Sequence, residues 1–200
     1  MSRVQIFAKP PVEGYVKTRL IADLNAADAT RIYRFCLQFT LDLLRASSID
    51  YQVWLSDTSA DRIFAEESCR LQQGANLGER MLHALHHGFV TYPHEPILLI
   101  GSDCLDLSER HLNQAIISLN RHDLVLLPAL DGGFALIGCR NIDATLFDKV
   151  RWSSASVLQQ TLNNAAKLNY RVKLLETVRD VDTLHDLNHY SQLRALISQA

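Results

Sequence analysis

Residues 4–20 read Val4-Gln5-Ile6-Phe7-Ala8-Lys9-Pro10-Pro11-Val12-Glu13-Gly14-Tyr15-Val16-Lys17-Thr18-Arg19-Leu20, and they set the pattern of the fold. The first five are mostly apolar and predict a β-strand, whereas two prolines and a glycine interrupt regular structure in the loop that follows. Three cations, Lys9, Lys17 and Arg19, lie beside Thr18 in this loop. Open α/β folds bind phosphates on such a loop, at the carboxyl end of the first strand. The alternative is a surface turn with solvated lysines.

The composition is that of a globular protein, and we expect the 200 residues to form one domain, 1–200. A net charge of −2 gives no general attraction to nucleic acid or anionic lipid, so we expect neither as a partner. No run approaches the roughly 18 apolar residues that span a bilayer, and the N-terminus lacks the pattern of a signal peptide. We therefore expect a cytoplasmic protein without a membrane span. The four cysteines are far apart, which favours buried thiols over a zinc site or disulfides: Cys36, Cys69, Cys104 and Cys139.

Strand-like and helix-like segments alternate along the rest of the chain. The segment Pro96–Gly101 is apolar up to its final glycine, as expected of a central strand covered on both faces. The alternation predicts an α/β fold with a mostly parallel sheet and helices on both faces. The connection between strands 123–127 and 134–138 is too short for a parallel crossover, so we expect part of the sheet to be antiparallel. Strands are also predicted at 51–55 and 170–175, and helices at about 25–46, 59–67, 77–89, 108–120, 154–168 and 183–198.

Carboxylates follow two of the predicted strands. Asp103 and Asp106 come after the apolar strand, and two carboxylates on a loop suit Mg²⁺, which fills its octahedron with water and phosphate oxygens. The alternative is that Asp106 caps the next helix and Asp103 stabilises a turn. Asp180 and Asp182 form a second pair, one of which could cap the last helix. Asp131, followed by two glycines, is a third candidate, although this tripeptide is also a common turn.

Several other kinds of site are excluded or weakly supported. Residues 14–18 contain glycine, lysine and threonine but lack the G-x-x-x-x-G-K-[ST] spacing of an NTPase phosphate loop. No G-x-G-x-x-G follows the first strand, which argues against a dinucleotide dehydrogenase. His83 and His87 are four residues apart, but without an acidic third ligand nearby a solvated helix face is the simpler interpretation.

Taken together, these motifs resemble the bacterial DUF2064 family, also labelled transferase 1 of the radical-SAM/selenodomain-associated group. That family is related to GT-A-type glycosyltransferases and to nucleotidyltransferases such as 2-phospholactate guanylyltransferase and the molybdenum-cofactor nucleotidyltransferases. The resemblance covers nearly the whole chain, and the order and spacing of its motifs are more specific than any one of them. The motifs are residues 7–20, 76–81, 101–107, 131–134, 152–154 and 180–183.

The resemblance implies a three-layer α/β/α sandwich, Rossmann-like, of the nucleotide-diphospho-sugar transferase type. It implies catalytic roles for Lys17, Arg19 and Asp103, and an acceptor side at Asp131, Gly132 and Gly133. It implies a site for Mg²⁺ or Mn²⁺ at Asp103, Asp106, Asp180 and Asp182. The nucleotide would be bound by Ala8, Lys9, Gly14, Lys17, Thr18, Arg19, Gly78, Glu79, Arg80 and Ser102.

Three positions depart from the family's usual pattern. Leu105 replaces a proline, Asn76 replaces an aspartate, and Phe134 replaces a tyrosine and so lacks its hydroxyl. None of them removes Lys17, Asp103 or Asp182.

The expected activity is metal-dependent transfer from a nucleotide or nucleotide-sugar donor to a small-molecule acceptor. The resemblance favours glycosyl transfer. Nucleotidyl transfer with release of pyrophosphate suits the same loops, and a non-catalytic nucleotide-binding protein of this fold is a further alternative.

Overall fold

The computed structural model describes residues 3–197, within which seven strands form one sheet in the order β3-β2-β1-β4-β6-β5-β7. The strands are β1 Arg3–Ala8, β2 Asp50–Leu55, β3 Cys69–Leu71, β4 Ile97–Ile100, β5 Leu124–Pro128, β6 Phe134–Cys139 and β7 Val172–Leu174. The helices are α1 Thr18–Ile21, α2 Ala26–Ala46, α3 Leu77–Thr91, α4 Glu109–Ser118, α5 Val157–Lys167, α6 Leu184–Leu187 and α7 Ser191–Arg194.

The sheet is mixed, with β6 as its antiparallel member. β1 pairs in parallel with β2 and β4, and β5 pairs in parallel with β7, whereas β6 pairs antiparallel with both β4 and β5. The short connection between β5 and β6 therefore forms a hairpin, as its length predicts. As a consequence, the turn at 129–133 lies at the same edge of the sheet as the carboxyl ends of the parallel strands.

Helices cover both faces of the sheet. All four residues of β4 are buried, which explains why this strand is apolar throughout. On one face, α2 and α4 pack on the sheet through side chains such as Leu37 and Leu112. On the other face, α3 and α5 pack through side chains such as Leu85 and Ala165. The predicted three-layer α/β/α sandwich is confirmed.

The helix predicted over 183–198 is wrong for the described part of that range, where two four-residue helices replace it. Thr183 begins α6 through a capping box with Asp186. Tyr190 then adopts an extended conformation, and its hydroxyl donates a 2.9 Å hydrogen bond to Asp106, which draws the chain out of the helix. Residues 198–200 lie outside the described residues.

Three further elements differ from the prediction. The helix predicted near 59–67 is a single 3₁₀ turn, Arg62–Phe64. Strand β3 was not predicted, because its three residues are exposed and show no apolar alternation. Helix α1 begins inside the stretch predicted to be a loop, so that Lys17 becomes its N-cap residue.

No helix within residues 3–197 combines the length and apolarity needed to cross a membrane.

The cysteines give a prediction that tests the fold. Cys36, Cys104 and Cys139 are buried and Cys69 is exposed, and all four are free thiols. Burial raises the pKa of Cys36 and of Cys139 to about 12, which suppresses the reactive thiolate. We expect a thiol reagent to label one cysteine per native chain and four after unfolding. A Cys69→Ser variant should lose the native reaction, and labelling of a second native thiol would contradict this packing.

Candidate functional site

A cleft of about 590 Å³ lies where the carboxyl ends of the parallel strands meet the start of β6. The residues after β1, β2, β3, β4 and β7 all contribute to its lining, as does the turn before β6. Ligands bind at this edge in open α/β sheets. Predicted site residues that line it are Ala8, Lys9, Lys17, Thr18, Arg19, Arg80, Ser102, Asp103, Asp131, Gly133, Asp180 and Asp182.

Lys17 is the centre of the charged half of this cleft. Its Nζ donates to Asp103 Oδ2 and to Asp182 Oδ1, each at 2.8 Å, and its side chain is only 4% exposed. Burial alone would lower the pKa of Lys17, but Asp103 and Asp182 raise it above its ordinary value, so the amine is charged. Arg19 adds a second cation, with Nη1 3.4 Å from Asp182 Oδ2.

The two loops that carry Asp103 and Asp182 are joined by a backbone hydrogen bond. The N–H of Val181 donates to the carbonyl oxygen of Asp103 at 3.0 Å, so that the loop after β7 lies against the loop after β4. The first loop reaches both of these loops through the side chain of Lys17. Lys17 contacts the carboxylates themselves, a contact that local sequence patterns do not show.

Asp180 differs from Asp103 and Asp182 because no Lys or Arg among residues 3–197 forms an ion pair with it. Its Oδ1 is buried and has no hydrogen-bond partner within the described residues. Burial, together with the nearby charges of Asp103 and Asp131, raises the pKa of Asp180 to about 8. By contrast, although burial raises the pKa of Asp182, Lys17 and Arg19 bring it below its ordinary value.

The donor atoms at this edge suit a hard divalent cation. Across residues 3–197, no three His, Cys, Asp or Glu side chains converge as a ready-made metal site. Mg²⁺, however, is usually bound by only one or two carboxylates, with water and phosphate oxygens as its other ligands. Asp103 and the unpartnered Asp180 oxygen fit that donor set.

The structure does not bring Asp106 to the cleft. Its carboxylate accepts hydrogen bonds from the backbone N–H of Arg179 at 3.0 Å and from the hydroxyl of Tyr190 at 2.9 Å. Asp106 therefore ties the loop after β4 to the C-terminal helices, whereas the sequence predicts it as a metal ligand.

Three predicted nucleotide-binding residues are also absent from the lining. Glu79 accepts hydrogen bonds from Ala75 N–H and from the Asn76 side chain, both at 2.8 Å, so its carboxylate is used to cap α3. Gly78 packs on Trp152, since a Cβ there would lie 2.7 Å from Trp152 Cζ2. Gly14 forms a turn with a φ of 83°. Each of the three residues therefore has a structural role outside the lining of the cleft.

The wall near the predicted acceptor side contains several residues that sequence reasoning did not assign to the site. Asp131 Oδ1 accepts a hydrogen bond from Gly133 N–H at 2.8 Å, and Gly132 packs behind this turn on the backbone of Ala155. Ser153 has a φ of 60°, and strained non-glycine residues of this kind often cluster at functional sites. The unassigned lining residues include Gln72, Leu77, Met81, Phe134, Trp152, Ser153 and Ser154. The motif at 152–154 could have indicated part of this wall, because its three residues line the cleft.

Tyr33 is a further residue that the sequence analysis missed. It is 4% exposed, and its hydroxyl accepts from Lys9 N–H at 2.7 Å, donates to Lys9 O at 3.1 Å and lies 3.2 Å from Ser102 Oγ. One hydroxyl thus joins the loop after β1 to the loop that carries Asp103. Tyr33 lies on the buried face of α2, and its helical spacing alone suggests only a core role.

We expect Tyr33→Phe to lower the free energy of unfolding by about 1–2 kcal/mol, because it removes the hydroxyl that bonds the partly buried backbone of Lys9 and the buried hydroxyl of Ser102. Urea denaturation measures this change. Tyr15→Phe is the matched control, since the Tyr15 side chain lies in the same loop region but is 75% exposed. Equal stability of the two variants would contradict a structural role for the Tyr33 hydroxyl.

Comparison with solved structures places the fold among known architectures. A candidate nucleotide-diphospho-sugar transferase from Desulfovibrio desulfuricans G20 is 32% identical, with a TM-score of 0.88, and the match covers 98% of this chain and 93% of that one. A 4-diphosphocytidyl-2C-methyl-D-erythritol synthase from Anaerococcus prevotii is 12% identical, with a TM-score of 0.59 and 98% coverage of both chains. An inositol-1-phosphate CTP transferase from T. maritima is 13% identical, with a TM-score of 0.55, and the match covers 98% and 94% of the two chains. The last two similarities concern the fold alone.

No curated protein matches the sequence significantly. The family model described as "Uncharacterized protein conserved in bacteria (DUF2064)" matches residues 40–154, which is more than half of the chain. This match agrees with the resemblance inferred from the motifs, and the chain belongs to the DUF2064 family.

Proposed function

We propose that the protein is a metal-dependent transferase that uses a nucleotide-activated donor, with glycosyl transfer from a nucleotide-sugar as its reaction. The observation that carries this proposal is the meeting of Lys17, Arg19, Asp103 and Asp180 at one edge of the sheet. The 32% identical structure described as a candidate nucleotide-diphospho-sugar transferase supports the same class of donor.

The cations of the cleft suit a diphosphate leaving group. In glycosyl transfer the acceptor hydroxyl oxygen forms a bond to the sugar C1 and gives up its proton. The bond between C1 and the β-phosphate oxygen breaks, and negative charge develops on the departing nucleoside diphosphate. Lys17 has three N–H donors and uses two of them on carboxylates, which leaves one for a phosphate oxygen. The exposed guanidinium of Arg19 supplies further donors. Fixed cations of this kind stabilise charge that develops in the transition state.

A divalent cation would be held by Asp103 and Asp180 and would supply neutralisation of the phosphate charge. Other residues would fix the phosphate-binding loop and orient the acceptor. Tyr33 holds the backbone of Lys9 against Ser102, which fixes the loop that would bind the phosphates. Asp131 is held in its turn by Gly133 N–H and retains a second carboxylate oxygen with which to orient an acceptor hydroxyl.

Nucleotidyl transfer is the second candidate. It is supported by the printed names of two proteins of similar fold, the 4-diphosphocytidyl-2C-methyl-D-erythritol synthase and the inositol-1-phosphate CTP transferase. In that reaction the acceptor attacks the α-phosphate of a nucleoside triphosphate, and pyrophosphate leaves. The same cations would bind the β- and γ-phosphates. The two reactions differ in their leaving group, which is therefore the quantity to measure.

A thermal-shift screen of nucleoside triphosphates, nucleoside diphosphates and nucleotide-sugars, each with and without Mn²⁺, tests the proposal. We expect a nucleotide-sugar to raise the melting temperature in a Mn²⁺-dependent manner. Subsequent assays of released nucleoside diphosphate and of pyrophosphate then distinguish the two reactions. If no nucleotide shifts the melting temperature with or without Mn²⁺, the proposed function is wrong. Binding without turnover would leave a non-catalytic nucleotide-binding protein.

A further inference from the structure

The ammonium of Lys17 lies between two carboxylates. Its Nζ lies at equal distances of 2.8 Å from one oxygen of Asp103 and one oxygen of Asp182. The two carboxylates come from different loops, 86 and 165 positions away in sequence. A small cation with two carboxylate oxygens as neighbours occupies the kind of position that a hard metal ion would take.

The backbone of Lys17 also holds the side chain in a costly conformation. Lys17 has φ 47° and ψ 44°, in the left-handed region that residues with a Cβ seldom adopt. Such strain persists only where surrounding structure over-determines it. The two ion pairs hold the side chain of Lys17, and the N–H of Leu20 donates to its carbonyl oxygen at 2.9 Å.

Two other carboxylate oxygens of the cleft have no such partner among the described residues. Asp180 has a buried oxygen without a partner. Asp103 uses Oδ2 for Lys17, and no hydrogen bond from the described residues reaches its Oδ1. Asp180 therefore lacks a paired cation among the described residues, whereas Asp182 is already paired with Lys17.

We propose that Lys17 is the resident counter-cation of Asp103 and Asp182, and that by filling the position between them it restricts the cleft to one divalent ion, at Asp103 and Asp180. This inference rests on the proposed function, because it takes from it the divalent ion bound by Asp103 and Asp180. It predicts that removing the Lys17 charge opens a second divalent-cation site between Asp103 and Asp182.

The test is a titration with Mn²⁺ alone, in which free Mn²⁺ is followed by electron paramagnetic resonance and the melting temperature is recorded in parallel. We expect Lys17→Met, which keeps a long side chain without charge, to bind one more Mn²⁺ per chain than the native protein. Without metal the variant should melt at a lower temperature than the native protein, because two carboxylates then face each other. Mn²⁺ should raise its melting temperature by more than it raises that of the native protein.

Two controls make the comparison specific. Lys9→Met removes an exposed lysine of the same cleft that has no ion pair among the described residues, and it should bind as many Mn²⁺ ions as the native protein. The double variant Lys17→Met/Asp182→Asn removes the repulsion together with the ligand. It should lose the additional Mn²⁺ and regain part of the melting temperature.

Equal numbers of bound Mn²⁺ in the native protein and in Lys17→Met would overturn the inference. Failure of Lys17→Met to fold even with Mn²⁺ would overturn it as well, because the metal would then not replace the ammonium. Folding that depends on Mn²⁺ would support it. Since no nucleotide is present, this result is independent of the donor screen. A native protein that binds no Mn²⁺ contradicts the proposed metal site, yet one ion gained on Lys17→Met still supports the role of Lys17 as a counter-cation.

Discussion

Replacement of Asp103 by asparagine should reduce transfer by on the order of 10³-fold and leave the protein folded. Asparagine has nearly the same shape but lacks the charge that pairs with Lys17 and would bind a divalent ion. Lys17 keeps Asp182 as its partner at 2.8 Å, so a buried cation is not left alone. The measurement is the initial rate with saturating Mn²⁺ and the donor identified by the thermal-shift screen, together with the melting temperature.

Asp106→Asn is the matched control for Asp103→Asn. It changes a carboxylate three residues away that bonds to Tyr190 and to the backbone of Arg179, outside the cleft. We expect it to lose stability and to keep its rate at temperatures where it is folded. If Asp103→Asn retained full activity, or if both variants lost it to the same extent, the separation of the two roles would be wrong.

The second large effect is expected for Gly132→Ala, which should lower the free energy of unfolding by about 3 kcal/mol. Gly132 has a φ of 89°, a backbone conformation that is strained for alanine. In addition, a Cβ at this position would lie 2.2 Å from the carbonyl oxygen of Ala155, and backbone cannot move aside as a flexible side chain can. The variant should therefore separate the turn at Asp131 from the segment that carries Trp152. Urea denaturation measures the loss.

Gly14→Ala measures the backbone-strain part of that effect without the steric part. Gly14 has a φ of 83°, similar to that of Gly132, but nothing lies within 4 Å of the position that a Cβ would take. Backbone strain alone should therefore cost about 1 kcal/mol. Equal losses in the two variants would show that the contact between Gly132 and Ala155 contributes nothing to stability.

The layers of the fold were predictable because they depend on local patterns. The apolar strand β4 and the helical spacing in α2 are visible within short windows of sequence. The short link before β6 also revealed the antiparallel pair. Strand β3 was not predictable, since its residues are exposed and its pairing with β2 is a contact between separate parts of the chain.

Most of the predicted site residues line the cleft, but the contacts between them could not be predicted. The motifs drew attention to Lys17, Asp103 and Asp182 separately, and the strand-end rule placed them at one edge. That Lys17 binds both carboxylates, and that Asp106 turns away to Tyr190, depends on side-chain directions that no local pattern encodes. Tyr33 was missed for the same reason, because helical spacing alone makes it look like a core residue.

The Lys17–Asp182 ion pair joins residues that are 165 positions apart, so it forms late when the protein folds during synthesis on the ribosome. Long loops delay contact formation, and a chain emerges from its N-terminus at about 5–20 residues per second. At that pace Lys17 waits on the order of ten seconds or more before Asp182 is synthesised. Throughout that interval the strained loop lacks its final partner, so the charged half of the cleft is among the last parts of this protein to assemble.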